Sequence, residues 1–246
     1  VLITTKQGKQ GSAKITYDTW FGVSKAAKLY DLLNAQEFVT IANEKYANMD
    51  GKPQAFMDNK GTDTNWYDHT FRTGFQQSHS VSISGASNKT QYFTSAGYTS
   101  QKGLVINNSY DRYTFYGKAE HKFLKDYVSA GFSLNASAQN NTGPVKGTSS
   151  ISDNMYASSR MLPNVEVYNP DDPTGYNIEA SDRKSLGKGA NLRTIENTIP
   201  NIVWVLENNK QKNTSWRLLP TANIDIRPTS WLTFRSLVGA DISLIE

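Results

Sequence analysis

Apolar and polar residues alternate with a period of two along much of the chain, which is the pattern of β-strands that have one apolar and one polar side. The clearest example is "SVSISGASNKTQYFTSAGY" at 80–98, where two alternating runs flank a polar corner and predict a hairpin. The same alternation recurs in five further segments, at 12–24, 112–120, 127–138, 216–227 and 231–244. We therefore predict an all-β, antiparallel fold with about seven strands in these residues.

Charged residues obey the same alternation. Within the five further segments, every charged residue falls on the polar side of its strand. These residues are Lys14, Asp18, Arg112, Lys118, Glu120, Arg217, Asp225, Arg227, Arg235 and Asp241. Each strand therefore has a side without charge, which faces either a protein core or lipid.

The lengths of the connections favour lipid. Short connections ("ASNKT", "KFLKD", "RPTS") alternate with long ones at 25–79, about 103–111 and 140–213, which is the arrangement of an outer-membrane barrel. The strands are also about twice as long as the roughly 5–6 residues that are usual in soluble sheets. A strand of about 12 residues spans roughly 40 Å, which is enough to cross an apolar band about 25–30 Å tall when tilted. We therefore predict that the apolar side, including Val81 and Ile83, faces lipid.

Helices are predicted only in the long connections. Asn34 and Glu37 have the spacing of a capping box and precede apolar residues at helical spacing. A short helix is also predicted near 152–161, whereas the segment 202–213, with "IVWVLE", fits either a strand or a helix. Pro220 lies on the apolar side of its strand and predicts a bulge, because proline cannot donate a ladder hydrogen bond.

Composition narrows the possible functions. The 26 basic and 22 acidic residues give a net charge of +4 without a dense basic cluster, so no nucleic-acid partner is expected. No cysteine is present, which excludes disulfides and thiolate metal sites. His69, His79 and His121 have no partner at ligand spacing, so we expect no metal, no cofactor and no enzymatic activity. No apolar run is long enough for a membrane-spanning helix.

Several segments resemble a known family. "VLITTKQGK" at the start is similar to the end of the plug domain in TonB-dependent outer-membrane transporters. "NWYDHTFRTGFQQSHSVSISGASNKTQYFTSAGYTSQKGLV" and the loop segment "LLNAQEF" resemble the SusC/RagA branch of that family. The resemblance implies that residues 1–10 end a plug and that 11–246 form the N-terminal part of a transmembrane barrel. The expected chain is therefore a fragment with about seven of 22 strands and with short helices in long extracellular loops.

The resemblance also implies a function. Members of this family import oligosaccharides, and in some cases peptides, across the outer membrane of Bacteroidetes-type Gram-negative bacteria. They work with a SusD-like surface lipoprotein and with TonB, which pulls on a box that would precede Val1. The open alternatives are a passive porin or adhesin barrel, a soluble carbohydrate-binding β domain and, last, an enzyme.

Aromatic residues beside amide, acidic and basic groups suit a sugar, which offers an apolar ring face and many hydroxyls. On this ground the loop residues predicted to face substrate or partner are Trp66, Tyr67, Asp68, Arg72, Tyr156, Arg160, Tyr168, Asp171, Asp172 and Tyr176. The segment that contains Trp66 also fits a role in packing against the barrel wall, and Tyr and Asn in the long loops also fit docking of the SusD-like partner. Asp171 and Asp172 in "NPDDPTG" predict a turn rather than a calcium loop.

Overall fold

The computed structural model describes residues 11–50, 61–124, 127–144, 154–178 and 200–246. These residues form one antiparallel sheet, with strands β1 to β8 at Gly11–Ser24, Gly74–Ala86, Thr90–Lys102, Ser109–Phe123, Val128–Pro144, Lys210–Thr229, Leu232–Gly239 and Ile242–Ile245. Helices lie in the long connections, with α1 to α4 at Ala35–Asp50, Trp66–Thr70, Asn154–Ser159 and Ile202–Asn208. Among the residues described, no helix has both the length and the apolar character needed to span a membrane.

The sheet is an up-and-down meander. Strands β1 to β7 are neighbours in chain order, and each is antiparallel to the next. This confirms the predicted fold class. The strands run further than predicted, because backbone pairing continues into polar ends where alternation stops; β5, for example, extends to Pro144 opposite Lys210. The first and third long connections are correspondingly shorter than predicted, at 25–73 and 145–209.

The strand register collects the apolar residues of all strands on one side, which we call the apolar face. One row of directly opposed residues on this face consists of Tyr17, Val81, Ala96, Phe115, Ala136, Leu218 and Ile242. The opposite side, the polar face, carries all ten charged residues of the predicted strands. The register also settles β3, whose sequence is ambiguous. Tyr92 lies opposite Gly85 on the apolar face, whereas Phe93 lies opposite Lys118 on the polar face.

The apolar stretch shifts steadily from strand to strand. In β1 it is centred at Asp18. The residues that lie in register with Asp18 on successive strands end at Ser243 on β8. In β7 and β8 it is centred at Val238, about five residues away, which corresponds to roughly 17 Å along the strand. The six steps from β1 to the last strands cover about 29 Å across the sheet. A shift of about 17 Å over this distance means that the apolar band is inclined by about 30° from the perpendicular to the strands. This is close to the tilt of strands in membrane barrels, about 35–45°.

Pro220 interrupts the hydrogen bonding of β6 to its neighbour without shifting the strand register. The segment predicted as one strand at 231–244 is divided into β7 and β8, and both pair with β6 in a single register, with Thr221 opposite Gly239 and Leu218 opposite Ile242. The Pro220 carbonyl accepts a hydrogen bond from the Ala240 amide (3.1 Å), but proline has no N–H to return one. The bulge predicted at Pro220 is therefore wrong: the ladder is broken locally, but the register is kept.

The first helix begins as predicted. Asn34 Oδ1 accepts from the Glu37 amide (2.9 Å), and the Asn34 amide donates to Glu37 Oε2 (3.0 Å), which is a reciprocal capping box. The open question at 202–213 is also answered: Ile202–Asn208 is the helix α4, followed directly by β6. The Asn201 side chain caps α4 by accepting from the Val203 and Trp204 amides.

The hydrophobic core of the described residues lies in the connections and not on the sheet. It joins α2, α3 and α4 with the segment that follows α3. Its buried members are Trp66, Ala157, Met161, Leu162, Val165, Val167, Ile202, Val203, Val205 and Leu206. We call this packed unit of the first, second and third long connections the loop body.

Candidate functional site

Trp66 joins the first long connection to the third. It opens α2, and its indole Nε1 donates to the Leu162 carbonyl at 2.8 Å. The side chain is only 1% exposed. A second link is parallel to the first, because the Thr64 amide donates to the Pro163 carbonyl at 2.7 Å. Trp66 was predicted to face substrate or partner, and the structure places its ring in the core of the loop body.

Asp68 and Arg72 form hydrogen bonds with other residues of the long connections. Asp68 Oδ2 accepts from Nδ2 of Asn65, the residue that caps α2 (3.0 Å). Arg72 donates to the carbonyls of Gly103 (3.1 Å) and Asn108 (2.9 Å) and thereby holds the second long connection against the first. Both side chains therefore help to hold the long connections in place. Their contact with substrate or partner stays a prediction.

A cavity of about 590 Å³ lies between the first and third connections. Three of the predicted residues line it, namely Trp66, Tyr67 and Arg160. The remaining walls come from the segment before α1, from residues near the start of α2 and from the turn after α3. They are Tyr30, Asp31, Leu32, Leu33, Asn34, Phe38, Asp63, Thr64, Asn65, Ser159, Met161, Leu162 and Pro163.

The polar groups of this cavity differ in whether they have a hydrogen-bond partner. The Asp63 carboxylate accepts from the Ala35 amide at the start of α1 (2.8 Å). The Tyr67 hydroxyl is buried and completes no hydrogen bond within the described residues, although the backbone of Tyr30 lies close to it. Burial is the main reason why the pKa of Tyr67 is raised. The cavity therefore holds one phenol that can still gain a hydrogen-bond partner.

Three exposed apolar residues at this cavity were not among the predicted site residues, namely Tyr30, Leu32 and Leu33. A signal was present, because three large apolar residues stand close together in "KLYDLLN" within an otherwise polar connection.

Tyr168 and Tyr176 form a second cluster, away from this cavity. Their backbones pair as an isolated β-bridge, and their rings lie 5.6 Å apart. The His69 ring packs edge-on against Tyr168 at 6.0 Å. The Tyr176 hydroxyl donates a short hydrogen bond to Glu207, and this bond, together with burial, raises the pKa of Tyr176 to about 12. Tyr168 is half-exposed, so one face of the cluster is open to a ligand or partner.

The acidic pair between these tyrosines forms a turn, as predicted. Asp172 Oδ1 accepts from both the amide (2.8 Å) and the hydroxyl (2.6 Å) of Thr174, and the Asp171 amide donates to Asn169 Oδ1 (3.1 Å). Gly175 has φ +76, which favours glycine at the end of the turn. The side chain of Tyr156, also predicted to face substrate or partner, lies outside the described residues.

The polar face of the sheet carries ion pairs near the C-terminal strands. Asp225 is 5% exposed and accepts two hydrogen bonds from Arg235, both at 2.8 Å, while Arg227 lies 3.8 Å away. Arg217 makes a similar forked contact with Asp241, at 3.0 and 2.6 Å. The forked geometry fixes the relative positions of neighbouring strands on this face.

Curated proteins similar to this chain include several TonB-dependent receptors. No protein-family model matches. The chain is 31% identical over 174 residues to the TonB-dependent receptor SusC of Bacteroides thetaiotaomicron, a match that covers 70% of this chain and 16% of that receptor. It is 27% identical over 178 residues to the TonB-dependent receptor P3 of Formosa agariphila, which covers 70% of this chain and 17% of the relative.

Solved structures agree in fold. The RagAB peptide transporter matches 98% of this chain with a TM-score of 0.63 at 19% identity, over 29% of the transporter chain. The RagAB peptide importer in its "open-open" state matches equally well, at 20% identity. The resemblance to SusC/RagA-type TonB-dependent receptors is thereby confirmed. The chain corresponds to a part of such a receptor, because it spans about one sixth of the curated relatives it matches.

Proposed function

We propose that these residues belong to a TonB-dependent importer of nutrients in the outer membrane of a Bacteroidetes-type bacterium. In this proposal, residues 11–246 form the N-terminal part of the barrel wall and residues 1–10 end the plug. Energy comes from TonB, which acts through a segment outside this chain. The similarity to SusC supports the class of protein, and the one structural observation that carries the proposal is the exposed apolar face of the sheet.

The apolar face supports a membrane location because large apolar side chains are exposed along it. Ile15, Phe21, Phe132 and Ile242 are each more than half exposed. In water, a contiguous apolar surface of this extent promotes aggregation. Lipid removes that penalty, and the inclination of the apolar band, about 30°, suits strands that cross a bilayer at a tilt.

Oligosaccharides are the first candidate cargo, with a SusD-like lipoprotein as the partner at the cell surface. The polar loops and the half-exposed Tyr168 beside Tyr176 support a sugar, because a tyrosine ring can stack on a sugar face. We further propose that the cavity lined by Trp66, Tyr67 and Arg160 contacts cargo or partner through its exposed side chains, which include Tyr30, Leu32 and Leu33.

A peptide is the second candidate cargo, and one observation favours it. The Trp66 and Tyr67 rings, which would stack on a sugar, are buried, whereas aliphatic Leu32 and Leu33 are open at the cavity. Aliphatic walls suit an apolar peptide side chain better than a hydroxyl-rich ring. The similar RagAB structures are titled as a peptide transporter and importer, which agrees with this candidate.

Uptake by the full-length receptor tests the proposal. Cells that lack the gene, and cells that carry it, are given labelled oligosaccharides or peptides with and without an uncoupler of the proton-motive force. Active import predicts gene-dependent uptake that the uncoupler abolishes. Uptake that survives the uncoupler would identify a passive porin, and a protein that is extracted without detergent would identify a soluble binding domain.

The cavity is tested in the same assay. Tyr30→Ala and Arg160→Ala are expected to lower uptake, since both residues line the cavity. Tyr127→Ala is the matched control, because Tyr127 is an exposed tyrosine between β4 and β5, at the opposite end of the strands. Equal uptake by all three variants would remove the cavity from the cargo path.

A further inference from the structure

Polar side chains cluster at one place on the apolar face. Thr19, His79 and Tyr98 are directly opposed on β1, β2 and β3. The hydroxyls of Tyr17 and Thr19 converge on His79 Nδ1, at 2.7 and 3.1 Å. The cluster is held in place by rings, because Phe21 packs edge-on against His79 at 5.4 Å. A fixed group of hydrogen-bonding side chains on an otherwise apolar surface points to a specific contact.

A depression of about 260 Å³ adjoins this cluster. Tyr17, His79 and Tyr98 form its rim, and Val81 with the small residues Ala96 and Gly97 forms its floor, together with Ser80. The depression exists because Ala96 stands in the row between the larger Val81 and Phe115. Ala96 is exposed, so the floor is open to whatever covers the apolar face.

The surroundings define what fits. Beyond the rim, the next row on this face begins with Phe21 on β1 and continues with the polar residues Gln77, Ser100 and Asp111 on β2, β3 and β4. In the other direction lies the apolar row of Tyr17 and Val81. A molecule that fills the depression is therefore polar at one end and apolar at the other. None of the residues that line it has a carboxylate, ammonium or guanidinium group. The Asp111 carboxylate in the next row accepts from the Tyr98 hydroxyl at 3.2 Å, so the polar end of the molecule is recognised by hydrogen bonds from neutral side chains.

His79 supplies the donor for such a hydrogen bond. The Thr19 hydroxyl donates to the Ser78 carbonyl (3.0 Å), so we assign the Tyr17 hydroxyl as the donor to Nδ1 and place the ring proton on Nε2. The nearest partner of Nε2 is Gln77 Oε1 at 3.5 Å, which is too long for a strong hydrogen bond. The Nε2–H group can therefore donate to an incoming carbonyl oxygen.

We propose that this depression binds one acyl chain of an outer-membrane lipid, with the ester or amide carbonyl of that chain on His79. This inference rests on the proposed membrane location, because the depression continues the face assigned to lipid. Tyr17 and Tyr98 line the depression on either side of His79, so their rings can pack on the acyl chain while their hydroxyls lie near its polar end.

The test uses the full-length receptor, purified from outer membranes in mild detergent and washed until bulk lipid is removed. Ala96→Phe fills the floor, and His79→Leu removes the donor. Ala222→Phe is the matched control, because Ala222 is also an exposed alanine on the apolar face, on β6. Retained lipid is counted by native mass spectrometry.

We expect about one lipid per molecule in the wild type and in Ala222→Phe, and at least a five-fold loss of occupancy in Ala96→Phe and in His79→Leu. Equal lipid retention by Ala96→Phe and the wild type overturns the inference. A wild-type dimer that loses its second copy, and no lipid, in Ala96→Phe overturns it as well. These results leave the proposed function intact as long as every variant still requires detergent. Extraction of the wild type without detergent would refute the proposed function itself.

Discussion

Replacing Trp66 by phenylalanine tests whether the three long connections form one cooperative unit. The substitution keeps an aromatic ring but removes the indole N–H that donates to the Leu162 carbonyl. Leu162 retains a second donor, the Val165 amide at 3.3 Å, so its carbonyl is not left wholly unpaired. The net loss of the hydrogen bond costs about 0.5–1.5 kcal/mol. The smaller ring gives up about 40 Å² of buried area, or about 1 kcal/mol.

The total is about 2 kcal/mol, which corresponds to about a 30-fold change in the opening equilibrium of the loop body. Hydrogen exchange on the full-length receptor measures this directly, because amide protection reports local opening. We expect about 30-fold faster exchange at amides in all three connections, including Ile106 and Val205, and unchanged exchange in the sheet. Trp231→Phe is the control, since Trp231 is 81% exposed.

Two results would refute this reasoning. If only amides beside Trp66 exchange faster, the three connections open independently and the loop body is not one unit. If the sheet amides also exchange faster, the loop body and the wall unfold together.

Three further substitutions test other features. Asn34→Ala removes the capping box and should destabilise α1 by about 1 kcal/mol, seen as faster exchange confined to that helix; unchanged exchange would mean that the cap contributes nothing. The raised pKa of Tyr176 means that its bond to Glu207 stabilises the loop body fully below pH 10, and that this stability is lost as the pH rises from about 10 to about 12. Tyr176→Phe should abolish this alkaline loss, and an identical pH profile would contradict the assignment. Val81→Arg should destabilise the folded barrel by about 2–4 kcal/mol in lipid, whereas Ser82→Arg, one residue away on the polar face, should be tolerated; equal effects on denaturant unfolding would reject the facing.

The strands and their facing could be predicted because a half-exposed sheet imposes a period of two that local sequence records. Local sequence leaves the facing of β3 open, because Tyr92 and Phe93 are adjacent and compete for the same side. Their facing depends on the neighbours in register, Gly85 and Lys118, which lie on other strands. The effect of Pro220 was predicted wrongly for a similar reason. It depends on which neighbouring strand lacks the hydrogen bond that an amide at this position would donate.

The helix α4 could not be predicted because it is buried on several sides. Ile202, Val203, Val205 and Leu206 are all buried, so the apolar residues do not mark one face. The loop aromatics show the same difficulty. Trp66 and Leu162 are 96 residues apart, and no local pattern reveals that one ring will be covered by the other segment. Tyr67 and Arg160, predicted to face substrate or partner, line the same cavity, whereas Leu32 and Leu33 of that cavity were not predicted because they resemble ordinary core residues.

The loop body has its own core, capped helices and hydrogen bonds between connections, while the strands beneath are held by their own ladder. Substitutions at the surface of the loop body therefore need to be compatible only with the packing of this small unit. Strand pairing does not constrain them. Such an arrangement lets a lineage exchange the loop body as one unit while the strands stay unchanged. A chimera that receives 25–73, 103–108 and 145–209 together from a relative should fold, whereas a transplant of any one of them alone would leave half a core uncovered.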